Sequence, residues 1–279
     1  MRRMSSGTVV FNLAGVSVLA LVAGYMVRSA LVTEHTAQCS RRYPAGMQFA
    51  LDAQDGAPLS TIELQARAGL REWGVLENAK VVLASDSPSG KSLDVSLAKI
   101  SSEGSRIQNG LGFVWPVYDI GTASSACLSY SVYLPENFKF GESGHLPGLT
   151  GTGTVTSVDG ETSDGTFTAH VGWGQHGEIG IDVRSPYTGG SWFASKGQAE
   201  WPRGHWVKVD QEVVMNTPGR ANGILRMWID GSLRVENTSF RVRASDEVKM
   251  GGVAADTGFI TSANDKVVVR LSPFVVQWQ

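Results

Sequence analysis

Short runs of period-two alternation, recurring from residue 91 onward, constrain the fold of this chain more than any other feature. Leu93, Val95 and Leu97 alternate with Asp94, Ser96 and Ala98. Phe167, Ala169, Val171 and Trp173 share one face, and Thr166, Thr168 and His170 the other. Ile179, Ile181 and Val183 oppose Gly180, Asp182 and Arg184. Val207, Val209, Gln211, Val213 and Met215 oppose Trp206, Lys208, Asp210 and Glu212, while Leu225, Met227 and Ile229 oppose Arg226, Trp228 and Asp230. Successive side chains of a strand point to opposite faces, so each run has one face to bury and one to leave polar. Gly, Asn and Asp punctuate the runs, and Asp230-Gly231 is the strongest hairpin signal. Glycine is abundant, 33 of 279 residues, against about 7% in an average chain. Many short strands with tight turns predict an all-β sandwich or jelly roll.

The first half is less regular. After Met1-Arg2-Arg3 an apolar run extends from Val9 to Val27 and closes on Arg28. At about 1.5 Å per residue it spans a hydrocarbon layer of about 30 Å, and the leading arginines favour a cytoplasmic N-terminus. The expected organisation is a cytoplasmic tail (1–8), a transmembrane helix or signal anchor (9–27), a stem (28–45) and a β domain (46–279) held outside the cytoplasm, periplasmic or extracellular. Cleavage as a signal peptide, giving a secreted protein, is the rival reading. Thr61 to Leu70 reads either as a short helix ending near Gly69 or as a bent strand. Cys39 and Cys127 could close a long loop in an oxidising compartment or remain unpaired thiols. No zinc-ligand spacing appears, no cofactor is expected, and a structural calcium ion stays open. The formal charge of −2 offers no basic face for nucleic acid, and no protein partner is expected.

The most distinctive stretch is Phe138-Lys139-Phe140-Gly141-Glu142-Ser143-Gly144-His145-Leu146-Pro147-Gly148-Leu149-Thr150-Gly151. It reads as a Gly/Pro-punctuated bend that holds one imidazole at the lip of a sheet. With Asn216-Thr217-Pro218-Gly219-Arg220-Ala221-Asn222-Gly223 and Trp228-Ile229-Asp230-Gly231 it resembles the alginate- and glucuronan-lyase type of polysaccharide lyase, families 14 and 20. The resemblance runs roughly from Leu93 to Phe259. It implies a β-jelly-roll (concanavalin-like) domain that cleaves an acidic polysaccharide, such as alginate, glucuronan or another polyuronate, by β-elimination. A catalytically inactive carbohydrate-binding protein of the cell envelope, or a purely structural envelope protein, would keep the same fold.

β-Elimination needs the uronate carboxylate neutralised, a base for the C5 proton and an acid for the departing oxygen. His145 stands where the resemblance places a lysine implicated in catalysis, and an imidazole can be base or neutraliser. His170 stands where it places an arginine, and Arg184 on the next strand could clasp a carboxylate. The family's Tyr-x-Tyr-like pair has no counterpart, Ile179 and Ile181 being nearest, which leaves Tyr187 and Tyr133 as substitute phenols. Arg226 and Trp228, sharing a strand face, could bind and stack on sugar, and His176 at a loop tip could approach a ligand. Each of these residues also has a plain structural reading as a surface, strand or packed side chain. Cleavage or capture at this spot requires His145, His170 and Arg184 to meet in one furrow.

Overall fold

The computed structural model describes residues 22, 38–44, 46–97, 110–156, 162–260 and 266–279. The chain divides into units of residues 1–37 and 38–279, and the following concerns the second. The apolar run over 9–27, with the tail and most of the stem, lies outside the described residues apart from Val22. No helix among the described residues is long and apolar enough to cross a membrane.

Strands are numbered in chain order. One sheet runs β15 (Ser232–Phe240), β14 (Gly223–Ile229), β13 (Trp206–Val214), β6 (Ser125–Tyr133), β18 (Val267–Leu271), β4 (Lys91–Leu97), β3 (Ala79–Leu83), with β19 (Phe274–Trp278) bridging β6 to β1 (Gly46–Phe49). The second runs β12 (Ser191–Ala194), β11 (Ile179–Arg184), β10 (Phe167–Trp173), β7 (Gly144–Thr152), β16 (Lys249–Ala254), β5 (Gly112–Pro116), β2 (Leu70–Trp73), with β17 (Gly258–Phe259) also on β7. A small ribbon joins β8 (Thr154–Thr156) to β9 (Thr162–Asp164). Among the described residues every pairing is antiparallel, and neighbouring strands are often distant in sequence, as a sandwich of crossing connections requires.

The core takes in the inward residues that alternation predicted and adds residues of β6 and β7. Val95, Leu128, Val132, Val209, Val213, Leu225 and Met227 of the first sheet and Leu146, Leu149, Phe167, Ala169, Val171, Trp173, Ile181 and Val183 of the second are buried in one cluster. Burying each such Val, Leu or Phe side chain contributes about 1.5–3 kcal/mol. Asp230 and Gly231 both take positive φ, 46° and 80°, as the mirror-image hairpin turn between β14 and β15 demands.

Thr61–Ala68 is a helix, α1. Ser60 Oγ accepts from the Glu63 N–H, and the Ser60 N–H donates to the Glu63 carboxylate. This capping box satisfies two orphan amide donors and decides for helix over strand. Cys39 and Cys127 are bonded, with Cα atoms 5.7 Å apart. The disulfide pins the segment around Cys39–Arg41 onto the outer face of the first sheet. Tyr43 and Trp228 pack with it there, and Arg42 reaches Glu212 at 2.6 Å.

The stretch around His145 departs from expectation. Gly144–Thr152 is no bend but a central strand. Proline normally avoids such a position because it cannot donate to a ladder. Here the register shifts between His170↔Gly148 and Val171↔Leu146, so Pro147 is the extra residue of a β-bulge and no ladder bond is asked of it. Gly144 and Gly151 are required by packing, because a Cβ at either would lie 2.0 Å from the Trp173 or Phe167 ring.

Candidate functional site

The bulge is held from across the core. Gln211, fully buried on β13 of the opposite sheet, accepts from the Leu149 N–H at 2.8 Å and donates to the Ala169 carbonyl at 2.6 Å. Tyr130 on β6 donates its hydroxyl to the Pro147 carbonyl at 3.0 Å. Burial raises the Tyr130 pKa well above that of an ordinary phenol, so the group stays a donor. Two polar side chains of one sheet thus satisfy backbone groups that the irregularity frees in the other, as buried polar groups require.

On the outer side of that sheet the bulge presents His145 and His170. Their rings stack 4.7 Å apart, 15° from parallel. His145 reaches across Gly172, its partner on β10, and places Nε2 3.0 Å from Asp182 Oδ2 on β11. Glycine at 172 leaves the lane between them open. Arg184 Nε donates to the same Asp182 oxygen at 3.3 Å. His170, almost wholly covered, has Nε2 2.8 Å from Asp256 Oδ2, but neither ring nitrogen makes a directed hydrogen bond. The contact is an approach out of line with the N–H. Asp256 follows β16 and closes the far side of the row.

Burial lowers the His145 pKa below the usual imidazole value, the Asp182 hydrogen bond opposing that and the nearby His170 and Arg184 adding to it. Asp182 is itself lowered, chiefly by its bond to His145. At neutral pH the pair is therefore a neutral imidazole against a carboxylate, which is the state a general base needs.

The row borders a furrow of about 660 Å³ lined by Ser143, Gly174, Gln175, His176, Glu178, Asp182, Arg184, Trp192, Ala194, Ser195, Gln198 and Ile260. His145, His170 and Arg184 stand in one row about Asp182; of the three, Arg184 lines the furrow, as does His176. The other candidates lie elsewhere. Tyr187 turns away: Arg241 sits over its ring at 5.2 Å, and its hydroxyl is buried without a partner. Tyr133 is on the outer face of the opposite sheet, against Trp206 and Arg270. On that same sheet Arg226 binds Glu212 and Glu236. Trp228 has no exposed surface, because the disulfide-pinned segment covers it, and it cannot stack on sugar. Ile179 and Ile181 point into the core; the outward positions of β11 are Gly180, Asp182 and Arg184. Among the described residues no cluster of His, Cys, Asp and Glu is arranged to hold a metal ion.

Asp182, Asp256 and Trp192 were not singled out from sequence. Asp182 had a signal, being two residues from Arg184 on a polar face. Asp256 and Trp192 had none, because their place depends on which strands pair.

One outer face of the sandwich thus carries a histidine–carboxylate row beside a furrow. The chain belongs to the family Polysaccharide lyase 14, whose model matches residues 85–265. It is similar in fold to the alginate lyase of Aplysia kurodai (20% identity, TM-score 0.60, covering 75% of this chain and 90% of that one). It is likewise similar to the alginate lyase Aly36B (16%, TM-score 0.61, 84% and 97%). The endo-β-1,4-glucuronan lyase of Trichoderma reesei also shares the fold (12%, TM-score 0.50, 76% and 90%). No curated protein sequence matches the chain.

Proposed function

We propose that this protein cleaves an acidic, uronate-containing polysaccharide by β-elimination, with the His145–Asp182 pair as its proton-transferring device. The observation that carries this is the 3.0 Å contact between His145 Nε2 and Asp182, whose neighbour Arg184 lines the same furrow as Asp182 itself. Membership of a lyase family supports the reaction class. Aly36B has been seen in complex with alginate tetrasaccharide, which supports an acidic substrate.

In this reading Arg184, largely exposed, takes the uronate carboxylate and makes the C5 proton more acidic. Neutral His145 accepts that proton as the C4–O4 bond breaks and the C4–C5 double bond forms. Asp182 orients the ring and stabilises the imidazolium. The same imidazolium then protonates the departing oxygen. One residue serving as base and then acid accounts for a site without a phenol. His170, stacked on the ring, fixes its tilt.

A second reading, a catalytically silent glycan-binding protein, is favoured by β11 offering Gly180 and Asp182 outward where a proton-donating phenol could have stood. The absorbance of unsaturated uronate separates the two. The full-length chain incubated with polyuronates should generate it, and His145→Ala should not. Absence of double bonds with every acidic glycan tried, while retardation in glycan-containing gels persists, would establish the binding reading. Export with the β domain outside the cytoplasm, held by the 9–27 segment, is part of the same proposal. The Cys39–Cys127 disulfide supports an oxidising compartment.

A further inference from the structure

The geometry points to Trp192 as a sugar-stacking platform, a subsite of the furrow immediately beside the His145–Asp182 pair. This rests on the lyase reading for its ligand, a pyranose ring of an acidic polysaccharide, and not for its geometry.

Trp192 lies on β12, the edge strand, directly opposite Asp182. Its ring lies on backbone. A Cβ built at Gly180 would be 2.3 Å from the indole, and one at Gly172 would be 3.5 Å from it. Two glycines on adjacent strands thus clear a bed that any larger residue at 180 would fill. One indole face is packed on the sheet while the residue stays 41% exposed and lines the furrow. The aromatics of β10, Phe167 and Trp173, are by contrast fully buried.

An indole bedded on one side and wet on the other binds flat apolar surfaces, and the C–H face of a pyranose is such a surface. Its surroundings narrow the ligand. Asp182, Arg184, Ser195 and Gln198 line the same furrow, so a sugar lying there meets polar groups at its edges and an arginine for a carboxylate. The neighbouring residue of the polymer is then carried toward His145. An isolated apolar ligand would leave those polar groups desolvated and unpaired, which is costly.

The test is binding of alginate and glucuronan tetrasaccharides to the full-length His145→Ala protein, followed by tryptophan fluorescence and calorimetry. Trp192→Ala should weaken binding about tenfold or more, and Trp192→Phe less than about threefold, since a ring face is retained. Melting temperatures should stay near that of the parent. Should Trp192→Ala prove unstable, Gly180→Ala, which lifts the ring from its bed, must produce the same loss of affinity. Unchanged affinity in Trp192→Ala, or no saccharide binding to the parent, overturns the platform. The two readings fail separately. Trp192-dependent binding without double-bond formation by the unmutated chain sinks cleavage and leaves the platform standing. Undiminished turnover and affinity after Trp192→Ala does the reverse.

Discussion

Replacing Gln211 by leucine tests whether the site is built from the far side of the sandwich. The side chain is fully buried on β13 and makes its two bonds, 2.8 Å and 2.6 Å, to backbone groups of β7 and β10 beside the bulge. Leucine keeps the volume roughly but leaves the Leu149 N–H and Ala169 carbonyl unsatisfied. Each such orphan costs about 1–3 kcal/mol. Part of this returns because leucine is cheaper to bury than an amide. A net loss of about 3 kcal/mol is expected, read as a lowered urea midpoint at unchanged slope. Hydrogen exchange adds a local readout: the Leu149 amide should lose protection out of proportion to its neighbours. Turnover should fall as well, since the bulge sets how His145 and His170 stand. A loss below about 0.5 kcal/mol with the Leu149 amide still protected would refute the claim that Gln211 holds the bulge.

Activity should rise with pH through a midpoint below the ordinary imidazole value, because the base must be neutral and burial lowers its pKa. Asp182→Asn removes an influence that raises that pKa, so the midpoint should move lower still while the plateau rate drops; a midpoint moving upward in the pH–rate profile would contradict the assignment. Both groups also make the fold weaker in acid. The unfolded chain binds the His145 proton more readily than the folded one, and the stability Asp182 gains from pairing disappears as pH falls through its depressed value. Urea midpoints measured across the acid range should therefore decline with falling pH, and His145→Ala should flatten part of that decline. Cys39→Ser with Cys127→Ser should cost about 4–5 kcal/mol in the chain-entropy model, the bond closing a separation of 88 residues; a melting temperature equal to the parent's would show that the segment is held by its other contacts. Trp228→Ala should destabilise by about 3–5 kcal/mol and leave glycan affinity untouched, since the ring is sealed beneath Cys39 and Tyr43; gel retardation checks the second half.

Alternation along single strands was enough to sort side chains inward and outward. Val207, Val209, Gln211 and Val213 face the core as their spacing implied, and His170 and Arg184 face away from it. Spacing does not say which sheet a strand joins. Arg226 and Trp228 were correctly read as lying opposite the inward set of their strand, yet that strand, like the one that carries Tyr133, belongs to the sheet without the furrow. Nor could spacing show that a disulfide-pinned segment would bury Trp228. Pro147 and its flanking glycines looked like a chain reversal because local preferences disfavour a central strand there. Tyr130 and Gln211, distant in sequence, override them. The furrow was legible through its basic residues, while its aromatic floor awaited the pairing of β11 with β12.

Asp182 serves two donors at once, accepting from His145 and from Arg184 on a single oxygen. A uronate that draws Arg184 toward itself leaves the aspartate's charge to the imidazole alone, which then holds a proton more strongly. Occupancy and proton affinity are in this way linked: the empty furrow keeps a weak base, and the loaded one strengthens it at the moment a proton is there to be taken.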